Sequence, residues 1–341
     1  MRLSILPALT ALALTALALT ATTLAAQEVN IYSSRHYDTD ERLYSDFEDA
    51  TGITINRIEG NADELMARLQ AEGRNSPADI FLTVDTSRLK RAKDLGLLQP
   101  IDSAVLEQRI PANLQDADNA WFGFSQRARI FFYNKSDVTD PPMTYLDMAD
   151  PKYRGMICIR SSENTYNQTL LAAIITNHGA DAARAWAQGV VDNMARRPQG
   201  GDTDQLRGLV SGECEIAVSN TYYFARALRT NVDGITEGLD NIGWVFPSQN
   251  AEGAHMNLSG GGVTVHAPNR ENAIKFLEYL ASDQAQIYFS AGNDEYPAVD
   301  GVPLDDAVKK MGAFKPDTVD LSKVAENLPE AQRIFNAVGW R

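Results

Sequence analysis

The sequence predicts an α/β protein of two lobes joined by crossover strands, with a cleft between the lobes. Three observations carry that expectation. Short apolar, β-rich runs alternate with amphipathic helical stretches, the pattern of a helix-covered and largely parallel sheet. The chain has 341 residues, more than one compact core usually holds, so two domains are expected. Two long β-rich stretches, at 121–135 and 241–249, are suited to carrying the chain from one lobe to the other and back.

The elements follow in order. Residues 1–26 read as an export signal: Arg2 supplies the positive start, "LSILPALTALALTALAL" the apolar stretch, and "TATTLAAQE" the small residues for cleavage. No basic stop-transfer flank follows, and the other apolar runs are too short to span a bilayer. "EVNIYSS" is a strand, followed by the helix "DTDERLYSDFEDATG" with Gly52 as its stop. Then come strand "TINRIEG", helix "ADELMARLQAEG", strand "ADIFLTV" and helix "TSRLKRAKDLG". "WFGFSQRARIFFYNK" is the first crossover. "GMICIRSS" and "CEIAVSN" are strands that feed the helices "TYNQTLLAAIITNHG" and "TYYFARALRT". "NIGWVFPSQ" is the expected return crossover, and "GGGVTVHAPNRENAIKFLEYLASDQAQIYFS" gives a strand, a turn and one long amphipathic helix. The expected boundaries are 27–126 with 247–300 for the first lobe and 127–246 with 301–341 for the second.

Composition narrows the function. The formal charge is −14 and becomes one unit more negative once Arg2 leaves with the signal. That balance argues against nucleic acid and anionic lipid as partners. Cys158 and Cys214 are the only cysteines, and in an exported protein an isolated pair reads as one disulfide. With four scattered histidines and no C-x-x-C, there is no zinc framework. "SRLK" (87–90) has no accompanying penicillin-binding signature, and "SGGGV" (259–263) lacks the G-K-[ST] of a phosphate loop, so close backbone approach explains it better. No catalytic motif is present, and the chain reads as a binding protein rather than an enzyme.

Four tyrosines stand where strands run into helices: Tyr37, Tyr166 and the adjacent pair Tyr222 and Tyr223. In open α/β folds that is where a cleft is lined. Neighbouring side chains diverge by about 100° on a helix, so the pair suits one core poorly but could approach one ligand from two directions. Phenolate is an anionic oxygen ligand of the kind that suits a hard metal ion.

"NIYSSRHYDTDERLYSDFEDATGI", "PADIFLTVD", "NTYNQTLLAAII", "SNTYYFARAL" and "NRENAIKFLEYLASDQAQ…NDEYPA" together resemble the periplasmic ferric-iron-binding proteins of ABC transporters. The resemblance runs from about residue 28 to 300. It implies the type II periplasmic-binding-protein fold, closing on ferric iron as the transported ligand and delivering it to an inner-membrane iron permease. It also implies a periplasmic, monomeric protein without nucleic acid. In that family the adjacent tyrosines are the central ligands, which carries onto Tyr222 and Tyr223. A tyrosine-rich subgroup adds two more, matching Tyr37 and Tyr166, and His36 matches a histidine that some members add. Other members use a first-lobe His/Glu set with a bound anion, for which this sequence has no clear equivalent; a bound anion or water stays open as a completing ligand.

Arg226 lies one turn beyond Tyr222, and Arg127 and Arg129 share one face of the first crossover. Each could hold an anion or hydrogen-bond a phenolate. The cysteines precede the second-lobe tyrosines on two expected strands, so a Cys158–Cys214 bridge would staple that half of the site. The alternatives are a binding protein for an organic or inorganic anion held by these arginines and a secreted metal-dependent hydrolase. Four phenolates argue against the hydrolase, because they quench Lewis acidity and leave little room for an activated water.

Overall fold

The computed structural model describes residues 27–35 and 37–341. The expected export signal and His36 lie outside the described residues. Nine strands form one continuous, curled sheet among them: β1 (Glu28–Ser33), β2 (Thr54–Glu59), β3 (Ile80–Thr83), β4 (Phe122–Asn134), β5 (Ile157–Cys158), β6 (Ile216–Asn220), β7 (Ile242–Val245), β8 (Met256–Val263) and β9 (Tyr296–Pro297). The helices are α1 (Glu41–Thr51), α2 (Ala62–Glu72), α3 (Thr86–Asp94), α4 (Ala104–Arg109), α5 (Thr165–His178), α6 (Ala180–Asn193) and α7 (Asp202–Val210). They continue with α8 (Thr221–Arg229), α9 (Arg270–Leu280), α10 (Asp283–Asn293), α11 (Asp306–Lys310), α12 (Leu321–Glu326) and α13 (Leu328–Val338). None of the described helices is long and apolar enough to cross a membrane.

The sheet order is β2-β1-β3-β8-β4-β6-β5, with β7 and β9 also paired to β4. Strand β4 is the spine. Its first half, Phe122–Ala128, pairs antiparallel with β8, and its second half, Arg129–Tyr133, pairs antiparallel with β6. One 13-residue strand therefore serves both halves of the molecule, as the run at 121–135 predicts. It is buried on both faces along nearly its whole length, which requires helices on both sides.

Strand β8 explains the glycine triplet. It lies between β3 and β4, and a Cβ at Gly260 or Gly262 would strike the carbonyl oxygens of Phe122 and Ala120. A Cβ at Gly261 would come within 2.9 Å of the Phe81 carbonyl. Close backbone approach is the reason for the motif.

Three expectations are corrected. The run at 241–249 is not a long crossover: β7 ends at Val245 and pairs only with the second half of β4. Pro247 has no N–H to extend the ladder, and Ser248 turns the chain with φ of 58°. The returning strand is β8 instead. The expected single long helix is two, because extended Ser282 (ψ 156°) breaks it and its hydroxyl caps α10 through Ala285 N–H. The sheet is mixed rather than largely parallel: β1 runs parallel to β2 and β3, and β5 to β6, while β8 and β9 return antiparallel.

The C-terminal helices tie the halves together. Helix α12 packs on both α3 and α5, and α13 packs on α5 and α6. Trp340 packs beside Trp186, with centroids 5.8 Å apart and the rings tilted by 39°.

Candidate metal centre

The four singled-out tyrosines meet in one cleft of about 840 Å³. One wall carries Ser34, Tyr37, Glu59, Gly60, Asn61, Ala62, Val84 and Arg88; the other carries Arg160, Ser161, Glu163, Asn164, Thr165, Tyr166, Gly200, Tyr222 and Tyr223. The walls are built from helix starts. Asn61 caps α2 and Asn164 caps α5, each accepting a first-turn N–H, and Tyr222 and Tyr223 lie in the first turn of α8. Such ends present positive partial charge and favour an anionic ligand.

The phenols are close-set. Tyr166 and Tyr222 hydroxyls are 3.4 Å apart, and the Tyr37 ring meets Tyr222 edge-on with centroids 6.4 Å apart. The rings of Tyr222 and Tyr223 stack at 4.2 Å with 30° between planes. The expected divergence of this pair is therefore corrected: the two rings lie face to face at the helix start. Tyr222 is buried, Tyr166 nearly so, and Tyr37 and Tyr223 are half-buried.

Burial is the main influence on the acidity of Tyr37, Tyr222 and Tyr223. It pushes the Tyr222 phenol far above its ordinary value, helped by the neighbouring phenols of Tyr166, Tyr37 and Tyr223. It raises Tyr37 likewise, with Tyr166 and Glu295 adding to it and Arg127 and Arg35 pulling back. Tyr223 is raised by burial, then by Asp202 and Tyr166, against a hydrogen bond with Tyr222. Without a bound cation these phenols are neutral at physiological pH.

The arginines separate into different roles. Arg127 is fully buried, donates to Ser259 at 2.9 Å and faces Glu295 at 3.6 Å. Its Nε and Nη1 have no hydrogen-bond partner, and its guanidinium lies 6.0 Å from the Tyr166 ring centre. Burial works against its charge, yet Glu295 and the phenols of Tyr166, Tyr37 and Tyr222 hold its pKa above the usual value. Arg129, at 5.9 Å from the same ring, is occupied: it donates to Asn167 at 2.7 Å and pairs with Asp202 at 3.2 Å. Arg226 does not line the cleft; it pairs with Asp294 at 3.6 Å and lies 5.9 Å from the Tyr222 ring.

Sequence reasoning missed Arg35, Arg160 and Glu295. Arg35 lies 4.8 Å over the Tyr37 ring and makes a two-point pair with Asp40, both contacts at 3.0 Å. Arg160 lines the cleft 5.7 Å from Tyr166. Both stand in quoted runs, "SSRHY" and "ICIRSS", so proximity to a tyrosine was the available signal. Glu295 is remote in sequence from every tyrosine of the cleft, and only topology reveals it.

The cysteines form a disulfide, Cys158–Cys214. Cys214 stands two residues before β6 rather than on it, in the turn after α7. The bridge packs against Gly208 of α7, where a Cβ would lie 3.2 Å from one sulfur and 3.3 Å from the other. It thus ties together β5, which leads to Tyr166, and the start of β6, which leads to Tyr222.

Comparison with known proteins agrees with this architecture. Iron uptake protein A1 of Synechocystis sp. is 47% identical over 316 residues, covering 92% of this chain and 88% of that protein. The Trichodesmium protein IdiA (FutA), solved in complex with iron and citrate ligands, superposes with a TM-score of 0.88 at 48% identity, covering 92% of this chain and all of that one. The ferric binding protein from Campylobacter jejuni gives a TM-score of 0.87 at 43% identity, over 92% of this chain and all of that one. The fold is the two-lobed α/β arrangement of type II periplasmic binding proteins, and the relatives are transport proteins rather than enzymes. Residues 42–316 match the family described as bacterial extracellular solute-binding protein, and the chain belongs to that family.

Proposed function

We propose that this protein binds ferric iron in the cleft through the phenolates of Tyr37, Tyr166, Tyr222 and Tyr223 and hands it to an inner-membrane ABC permease. The observation that carries the reading is the convergence of phenols from two walls. Tyr37 of one wall meets Tyr222 of the other with ring centroids 6.4 Å apart, and the hydroxyls of Tyr222 and Tyr166 are separated by 3.4 Å. The names of the relatives point the same way.

Ferric iron supplies the charge that expels the phenolic protons. Four phenolates and one ferric ion leave a net charge of −1, which Arg127, with two unpartnered nitrogens, is placed to offset. Arg160 and the starts of α2 and α5 suit an acidic small molecule as a completing ligand, as does the cleft's volume. His36 is the further candidate ligand. An export signal at 1–26, a periplasmic location and lobes bounded at 27–126 with 247–300 and 127–246 with 301–341 complete the proposal. The two halves of β4 support that division.

The test is equilibrium loading with ferric citrate followed by dialysis and counting of iron. One iron per chain is expected, and Tyr222→Phe with Tyr223→Phe should retain none. Equal retention by that variant would overturn the assignment.

A further inference from the structure

Two adjacent carboxylates outside the cleft walls gather arginines from three separate segments, each of which carries or touches a tyrosine of the cleft. Asp294 ends α10 in the left-handed conformation, with φ of 61° and a fully buried side chain. Its carboxylate accepts two hydrogen bonds from Arg229, at 2.7 and 2.9 Å, and pairs with Arg226 at 3.6 Å. Both arginines stand in the last turn of α8, the helix that begins with Tyr222 and Tyr223.

Glu295 serves the remaining walls. One carboxylate oxygen accepts from Ser125 at 2.7 Å and from Arg35 at 3.3 Å, and the other faces Arg127 at 3.6 Å. Arg35 precedes Tyr37 by two residues and covers its ring, and Arg127 lies against Tyr166. The next residues, Tyr296 and Pro297, pair with Gln126 and Ser125 of β4. The dipeptide is thus fixed to the strand that both halves share. Asparagine suits the left-handed region at least as well as aspartate, but it offers no charge to hold two guanidiniums.

We propose that the Asp294–Glu295 dipeptide positions the cleft's phenols: Asp294 anchors the tyrosine-bearing helix α8, and Glu295 anchors the arginines behind Tyr37 and Tyr166. Both walls are then held in one register by a single point on the crossover. The iron readout of this proposal rests on the ferric-iron reading; its effect on α8 does not.

Asp294→Asn keeps the shape and the backbone preference while removing the charge. In the iron-free protein, amide hydrogen exchange in α8 should rise above wild type while α1 is unchanged. In the iron-loaded protein, release of iron to a ferric chelator should be roughly tenfold faster, a coupling of ordinary size, with a shifted visible band. Glu295→Gln should act in the same direction; if it fails to fold, Asp294→Asn carries the test. Unchanged exchange in α8 would overturn the proposal. So would faster exchange with unchanged iron release, since Asp294 would then be an anchor for the fold alone. A wild-type protein that takes up no iron would defeat the ferric-iron reading, and exchange in α8 alone would then decide the role of Asp294.

Discussion

Lowering the pH should weaken iron binding steeply, and replacing one ligand tyrosine should make that dependence shallower by one proton. A free phenol titrates near 10, and burial holds Tyr37, Tyr222 and Tyr223 higher still. The iron-free cleft therefore carries protons that the iron-bound cleft cannot, and acid favours the iron-free form. On the proposed ligation by the four phenols of the cleft, four protons would leave per ferric ion. Each proton contributes about 1.4 kcal/mol per pH unit, so apparent affinity should change about ten-thousandfold between pH 7 and pH 6. The assay is competition with a ferric chelator at several pH values, with the chelator's own protonation subtracted. Tyr222→Phe, which removes one member of the closest phenol pair and a phenol that burial holds high, should cut the slope from four to three. A slope that is flat in the wild type, or unchanged in the variant, would refute the reasoning.

Other consequences follow from the packing. Reducing the bridge, or replacing both Cys158 and Cys214 by Ser, opens a loop whose ends are 56 residues apart, and chain entropy puts the cost at about 4 kcal/mol; urea unfolding should show a loss of that size, and iron affinity should fall because Tyr166 and Tyr222 lose a common tether. Gly262→Ala would drive a methyl into the Ala120 carbonyl between strands, and unfolding should register a loss of about 1–3 kcal/mol, with a stability equal to wild type counting against the close approach. Ser282→Ala removes the cap of α10 and should cost about 1 kcal/mol, read by thermal unfolding.

Much of the fold was legible because the first half of the chain obeys local rules. Gly52 ends α1 in the left-handed region at φ of 70°, Asn61 and Asp85 cap α2 and α3, and the apolar run at 80–83 is a wholly buried strand. The run at 241–249 misled because its aromatic and β-branched residues promised a strand that Pro247 and Ser248 do not permit. The break at Ser282 was hidden by continuous amphipathic spacing on either side of it. The four tyrosines could be named because each stands at an element boundary. Their meeting in one cleft, and the two carboxylates that hold the arginines behind them, depend on contacts over long sequence separations: Tyr37 meets Tyr222, and Arg35 reaches Glu295 across 260 positions. No local pattern encodes such a contact.

Tyrosinate ligation of ferric iron is read from the visible spectrum of the iron-loaded protein. Phenolate bound to ferric iron should give a charge-transfer band, coloured orange to purple, that disappears in the Tyr222→Phe, Tyr223→Phe variant. An iron-loaded protein without colour, or a band that survives the loss of both tyrosines, would contradict the account.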